Sequence, residues 1–247
     1  KNTRMAATRD GSMNIVQLGM ADTGDLQKTL FAEMKGRIKE DDSSVPVKDG
    51  PFAYGVSYVT GGQYPRYFRT PREGGDAQII LDGDLEGAGK PYFSLGGIDH
   101  SHDHGKLIWS FDDAGSEYYT IRVRDLSTGI DAADRIENTG GGGVFDAKAS
   151  GLFYTVLDEN HRPVAIRYHA LGTNAADDKT VYEEADPGFF MDVHGSLLND
   201  YIFISINDHE TAEIRMIPAG DPLAEPKIVA TRENGIQYSI TEGGDRF

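Results

Sequence analysis

Residues 106–129 read KLIWSFDDAGSEYYTIRVRDLSTG and hold two runs rich in β-branched and aromatic residues, 107–111 and 118–124. Asp112, Asp113, Ala114, Gly115 and Ser116 join them, turn chemistry that folds two such runs into a hairpin. In the second run Tyr119, Ile121 and Val123 alternate with Thr120, Arg122 and Arg124. That period of two marks a strand with one buried and one wet face. Residues 125–129 close the unit with a second turn.

The unit recurs. Strands are expected over 92–95, 107–111, 118–124 and near 135–137, then over 143–145, 152–156, 164–169 and 180–183, then over 190–194, 201–206, 213–217 and 227–230. Trp109, Phe153 and Phe203, taken as equivalent second-strand aromatics, lie 44 and 50 residues apart. Arg124, Tyr168 and Met216, at the ends of third strands, lie 44 and 48 apart. A repeat of about 40–50 residues with four strands is the signature of propeller blades. A β-sandwich also has many short strands, but gives no reason for the four-strand beat.

Upstream, three strands are expected over 52–59, 64–70 and 77–81, parted by Gly61, Gly62 and the turn residues 71–75. Downstream, 236–240 reads as the opening strand of a fifth blade. The fold class is therefore all-β: a partial propeller of about four blades and the start of a fifth. Before it, Leu26, Leu30, Met34 and Ile38 recur at four-residue spacing beside Phe31. This predicts a helix over about 23–39, capped by Asp22 or Thr23, broken by 41–44 and barred from resuming by Pro46. The division expected is 1–44 as an amino-terminal extension and 45–247 as an incomplete propeller. Residues 1–21, with the short apolar patch 15–20, read as irregular.

Composition limits the partners. At 247 residues the chain can bury a real core, and thirty glycines without a Gly-x-y period imply many tight turns. A formal charge of −16 argues against nucleic acid, which needs a basic footprint, and suits solubility or a cationic partner. The chain has no cysteine, which excludes disulfides and thiolate metal sites and agrees with a reducing, cytoplasmic location. No run approaches the ~18 apolar residues of a membrane span, and 1–14 shows no secretory h-region.

Motifs for chemistry are weak. The nearest approach to Gly-x-Ser-x-Gly is at 92–96, where Tyr92 stands in place of the first glycine, so Ser94 reads as a strand residue. Asp99, His100, Ser101, His102, Asp103 and His104 suit a divalent ion through His100, His102 and His104. The cluster is expected in a turn between strands, and a solvated turn is the preferred reading. His161, His169, His194 and His209 read as surface or packing residues. Gly140 to Gly143 lacks the Lys-Ser/Thr of a phosphate loop and reads as flexible backbone at a crossing between blades. Glu183, Glu184 and Asp186, like the run 39–42, read as solvated faces.

Several segments in fixed order carry a family resemblance: FAEMKGRIKEDDSSVP at 31–46, GGQYP at 61–65, IRVRDLSTG at 121–129, DENHRP at 158–163, HALGT at 169–173 and VYEEAD at 181–186. Together they resemble the oligopeptidase B, or protease II, branch of the prolyl oligopeptidase family of serine peptidases, from about Asp22 onward. The resemblance implies a seven-bladed propeller behind a helical extension, stacked on an α/β-hydrolase domain that cleaves short peptides after Lys or Arg. The propeller would gate access to that domain. One departure is Gly55 in FAYG (52–55), where the family tends to have a second aromatic. The family's Ser, Asp and His lie beyond the ring, so no catalytic, cofactor or metal residue carries over to this chain. The chain is expected to be a fragment and inactive alone, with basic peptides and the hydrolase domain as partners of the intact enzyme. The rival reading is a non-enzymatic propeller that serves as a binding scaffold.

Overall fold

The computed structural model describes residues 21–244 and 246–247; the expectation of irregular structure over 1–20 lies outside the described residues. Helix α1 spans Gly24–Gly36 after a 3-10 turn at Ala21–Thr23. Thr23 stands at the N-cap position, its hydroxyl accepting from Gln27 Nε2 at 2.7 Å. The helix ends short of Lys39, at Gly36, the weakest helix former in the segment. None of its residues is buried, and Leu26, Leu30, Phe31 and Met34 are all exposed. The apolar stripe read from the sequence therefore faces outward from the described residues.

The first blade is β1 (Val47–Asp49), β2 (Phe52–Ser57), β3 (Arg66–Pro71) and β4 (Gln78–Asp82), each antiparallel to the next. β1 is absent from the sequence reading because it is three exposed residues long. It exists because Gly50, at φ +50°, makes a tight two-residue turn with Pro51 that pairs Asp49 with Phe52. A single helical turn, α2 (Gly83–Glu86), follows; Asp82 caps it by accepting from Asp84 N and Leu85 N.

The next two blades form one seven-stranded sheet, ordered β11-β10-β9-β8-β7-β6-β5. These strands are β5 (Ser94–His100), β6 (Lys106–Asp112), β7 (Tyr119–Asp125), β8 (Ile130–Phe145), β9 (Gly151–Leu157), β10 (Pro163–Ala170) and β11 (Lys179–Glu183). β8 is one strand of 16 residues, not the two short strands with a flexible crossing expected over 135–145. Its first part pairs with β7 and its last part with β9, so it closes the second blade and opens the third. The glycine run is packed, not slack. A Cβ on Gly97 of β5 would lie 2.5 Å from the carbonyl oxygen of Gly141, so these glycines let the two backbones touch. With Gly97 packed on Gly141, β5 runs from Ser94 to His100, past the strand expected over 92–95.

The fourth blade is β12 (Phe190–Gly195), β13 (Tyr201–Asn207), β14 (Ala212–Pro218) and β15 (Lys227–Ala230). Residues 236–240 are not a strand, which corrects the expected fifth-blade opening. Their bonds are single tethers: Ala212 N–H donates to the Ile236 carbonyl at 3.0 Å, and Ile214 N–H donates to the Tyr238 hydroxyl at 2.8 Å. Without a ladder partner among the described residues the segment crosses β14 instead of extending it.

Four blades stack through three cores. Ile80 and Leu81 of the first blade meet Leu107, Trp109 and Phe111 of the second. Ile108, Ile121 and Val123 meet Leu152 and Tyr154 of the third. Phe153, Ile166 and Tyr168 meet Met191, Val193, Ile202 and Ile204 of the fourth. Alternation within a strand thus feeds two neighbours, as the pleat requires, and each fully buried side chain contributes about 1.5–3 kcal/mol. It also corrects one equivalence. Trp109 faces the preceding blade and Phe153 the following one, so the position matching Trp109 is Leu152 or Tyr154. The strand period is right and the face is displaced by one residue.

Candidate site at the convergence of the first strands

The first strand of every blade ends at a common cavity of about 190 Å³. Asp49 comes from β1, Asp99 and His100 from β5, Val144 and Phe145 from β8, and Gly195 from β12. His102, Asp146, Ser196 and Asn199 complete the rim from the following turns. His102 Nδ1 accepts from Asn199 Nδ2 at 3.0 Å, tying the second blade to the fourth across the cavity.

Three carboxylates make this cavity acidic. Burial pushes the Asp99 carboxyl up to about 6. Asp146 is engaged in its own turn, accepting from Lys148 N at 2.9 Å, Ser150 Oγ at 2.8 Å and the Tyr168 hydroxyl at 2.6 Å. Asp49 is more than half exposed and faces the His100 ring, with its Oδ2 3.2 Å from Nε2. Such a lining favours ammonium or guanidinium groups over anions.

The histidine cluster is not the single turn expected. Asp99 and His100 lie on β5, and only Ser101 to Gly105 form the turn, where Asp103 accepts from Ser101 Oγ and Gly105 N. Those two bonds hold the Asp103 carboxyl below its ordinary value. The structure brings His100 and His104 together with Asp49 and leaves His102 out. Asp49 was missed because it lies about fifty residues earlier and only the packing of β1 on β5 unites them. His104 occupies the left-handed region at φ 58°. Its Nδ1 is 2.7 Å from the Tyr54 hydroxyl, and its pKa is lowered by burial and by the neighbouring His100. Tyr54 stacks on the His100 ring at 4.1 Å.

The remaining candidates resolve individually. Ser94 opens β5 as a strand residue, and among the described residues no serine hydroxyl bonds an imidazole. His161 packs on Tyr118 with ring centres 4.2 Å apart, and His194 packs near Phe203. His169 departs from the surface or packing role read for it, because it lies fully buried between two carboxylates. Its Nε2 is 2.9 Å from Asp134 Oδ1 and its Nδ1 2.7 Å from Asp178 Oδ1. Burial opposes ionisation of Asp134, but the Gly172 N–H and the imidazole outweigh it and keep the carboxyl below its ordinary value. Glu184 is likewise no solvated residue: its side chain is 7% exposed and pairs with Arg232 at 2.7 Å, and Arg232 also reaches Glu213. Lys39 and Asp42 are exposed, as expected.

The family model for the prolyl oligopeptidase amino-terminal β-propeller domain matches residues 13–247. Dipeptidyl aminopeptidase BI of Pseudoxanthomonas mexicana is 31% identical over 264 residues, covering all of this chain and 36% of that protein. Protease 2 of Moraxella lacunata is 29% identical over 224 residues, covering 87% of this chain and 32% of its own length. The solved structure of oligopeptidase B from Leishmania major superposes with a TM-score of 0.86 at 27% identity, covering 93% of this chain and 33% of that one. The chain spans about a third of the length of the curated relatives it matches. No helix among the described residues is long and apolar enough to cross a membrane.

Proposed function

The chain belongs to the prolyl oligopeptidase family, of which it is the amino-terminal propeller portion, and from that premise we propose that it gates an oligopeptidase B-like serine peptidase. Residues 1–44 are the extension and 45–247 the propeller, working in the cytoplasm beside an α/β-hydrolase domain. That domain supplies the serine that is acylated, the histidine that takes its proton and the acid that orients the histidine; water then hydrolyses the acyl-enzyme. The blades exclude folded proteins, so that short peptides are cleaved after Lys or Arg. The observation that carries this reading is the course of four consecutive blades, which follows oligopeptidase B over nearly the whole chain. The acidic cavity supports a cationic substrate, since Asp49, Asp99 and Asp146 face the space where the first strands converge.

The test compares the chain alone with the same chain joined to a hydrolase domain encoded in frame with it, on fluorogenic peptides ending in Arg and blocked at the amino terminus. We expect no turnover from the chain alone and cleavage after Arg from the joined protein. Turnover by the chain alone after rigorous removal of host proteases overturns the assignment. A second reading, release of dipeptides from a free amino terminus, is favoured by the similarity to dipeptidyl aminopeptidase BI. It predicts that blocking the amino terminus abolishes cleavage. A joined protein that turns over neither substrate leaves the propeller as a binding scaffold.

A further inference from the structure

We propose that Asp49, His100 and His104 form a binding site for one divalent transition-metal ion of the zinc class, which joins the first blade to the second. Each residue offers one donor atom, and the three donors lie within 4.8 Å of one another. Imidazole nitrogen and carboxylate oxygen are the ligand types that such ions take, and a tetrahedral ion at about 2.0–2.1 Å from each ligand sets its donors about 3.3 Å apart. The pair His100 Nε2 and Asp49 Oδ2 already stands at 3.2 Å.

Hydrogen bonding orients these ligands. His100 Nδ1 lies 3.1 Å from the Ser101 carbonyl oxygen, which can only accept, so Nδ1 carries the proton. In the neutral ring Nε2 then presents a bare lone pair to a carboxylate oxygen, and the contact is satisfied only by a cation between them or by a second proton on the ring. Metal-ligating histidines are held in this way, the ring nitrogen away from the ion donating to a carbonyl or carboxylate. The His104 ring is oriented by its Nδ1, 2.7 Å from the Tyr54 hydroxyl, and its Nε2 lies against Gly50 beside Asp49. Gly50 makes room for that nitrogen, because a Cβ there would overlap it. The left-handed backbone of His104 is a strain that the second blade maintains, and such strain collects at functional positions.

The ion would bridge elements that the chain connects only through a long path. Asp49 belongs to β1, whereas His100 ends β5 and His104 lies in the turn before β6. Its binding therefore stabilises the blade interface and takes up one of the three carboxylates that line the cavity, leaving Asp99 and Asp146.

The experiment is calorimetric titration of Zn²⁺ into the untagged chain after treatment with a chelator, with thermal unfolding in parallel. We expect one ion per chain and a rise in Tm of about 5–10 °C at a hundredfold excess over Kd. Asp49→Asn and His100→Ala should each weaken binding at least about tenfold, whereas His102→Ala should leave it unchanged. Asp49→Asn is nearly isosteric at a side chain 58% exposed, so the fold is retained and loss of binding reports on the ligand. The proposal is overturned by absence of saturable binding, by undiminished affinity in Asp49→Asn and His100→Ala, or by equal loss in His102→Ala.

Discussion

Replacing His169 by alanine removes the hydrogen-bonding partner of two buried carboxylates at once. The His169 side chain is 0% exposed, and those of Asp134 and Asp178 are 5% and 1% exposed. Both ring nitrogens lie within hydrogen-bond distance of carboxylate oxygens, 2.9 Å from Asp134 and 2.7 Å from Asp178. Removing one partner of a buried ion pair costs about 3–5 kcal/mol, chiefly because the other charge is left uncompensated. Here Asp134 keeps the Gly172 N–H and Asp178 keeps the Tyr154 hydroxyl, which places the expected loss near ~3 kcal/mol at pH 7. The sign with pH follows from Asp134. Its folded pKa is depressed, so in the parent its contribution is full above the unfolded value and is lost as pH falls through the folded one. In the variant the imidazole's lowering effect is gone while burial still acts, so the carboxyl stands higher than in the parent and acid costs the variant less stability. The gap between the two proteins must narrow from pH 7 toward pH 4. Urea unfolding followed by fluorescence of Trp109, the single tryptophan, measures it. A second arm adds Asp134→Asn and Asp178→Asn to His169→Ala; it should recover part of the loss, because the uncompensated charges are gone. A loss under about 1 kcal/mol, or a gap that stays constant with pH, refutes the charge argument.

Phe153→Ala should destabilise by about 3–5 kcal/mol in the same urea assay, since this ring is fully buried between the third and fourth blades. Gly151→Ala should cost more than about 1 kcal/mol, because its Cβ would overlap both the Tyr168 hydroxyl and the His169 carbonyl and the backbone must move. Arg232→Met should lower stability by about 2–4 kcal/mol by leaving Glu184 without its cation, while Glu213 keeps Arg215 at 2.7 Å, and Glu184→Gln in that background should recover part of it. Ser94→Ala in the protein joined to its hydrolase domain should leave kcat/KM for an Arg peptide within about twofold, as expected of a strand residue that makes no transition-state contact.

The strands of the second, third and fourth blades were legible because their signals are local. Leu107 to Phe111 is a run of β-branched and aromatic residues, Tyr119 to Val123 alternates with a period of two, and Asp112 to Ser116 turn the chain whatever surrounds them. Where neighbours decide the backbone, the reading failed. Gly97 and Gly141 look like interruptions and are instead where β5 and β8 touch, and 236–240 has strand composition without a ladder partner among the described residues. The face of each strand escaped for a related reason: Trp109 and Phe153 align as second-strand aromatics, but they stand one residue out of step and face opposite neighbouring blades.

The family, the four-strand beat and the absence of a nucleophile motif were all carried by the order of residues along the chain, because turn chemistry and strand alternation act over a few residues. The tertiary structure alone decided that Asp49 meets His100 and His104, that His169 sits between Asp134 and Asp178, and that Glu184 is paired with Arg232. Each of these sets joins residues from different strands, blades or turns. Their meeting depends on the twist and stacking of whole sheets, for which no local pattern codes.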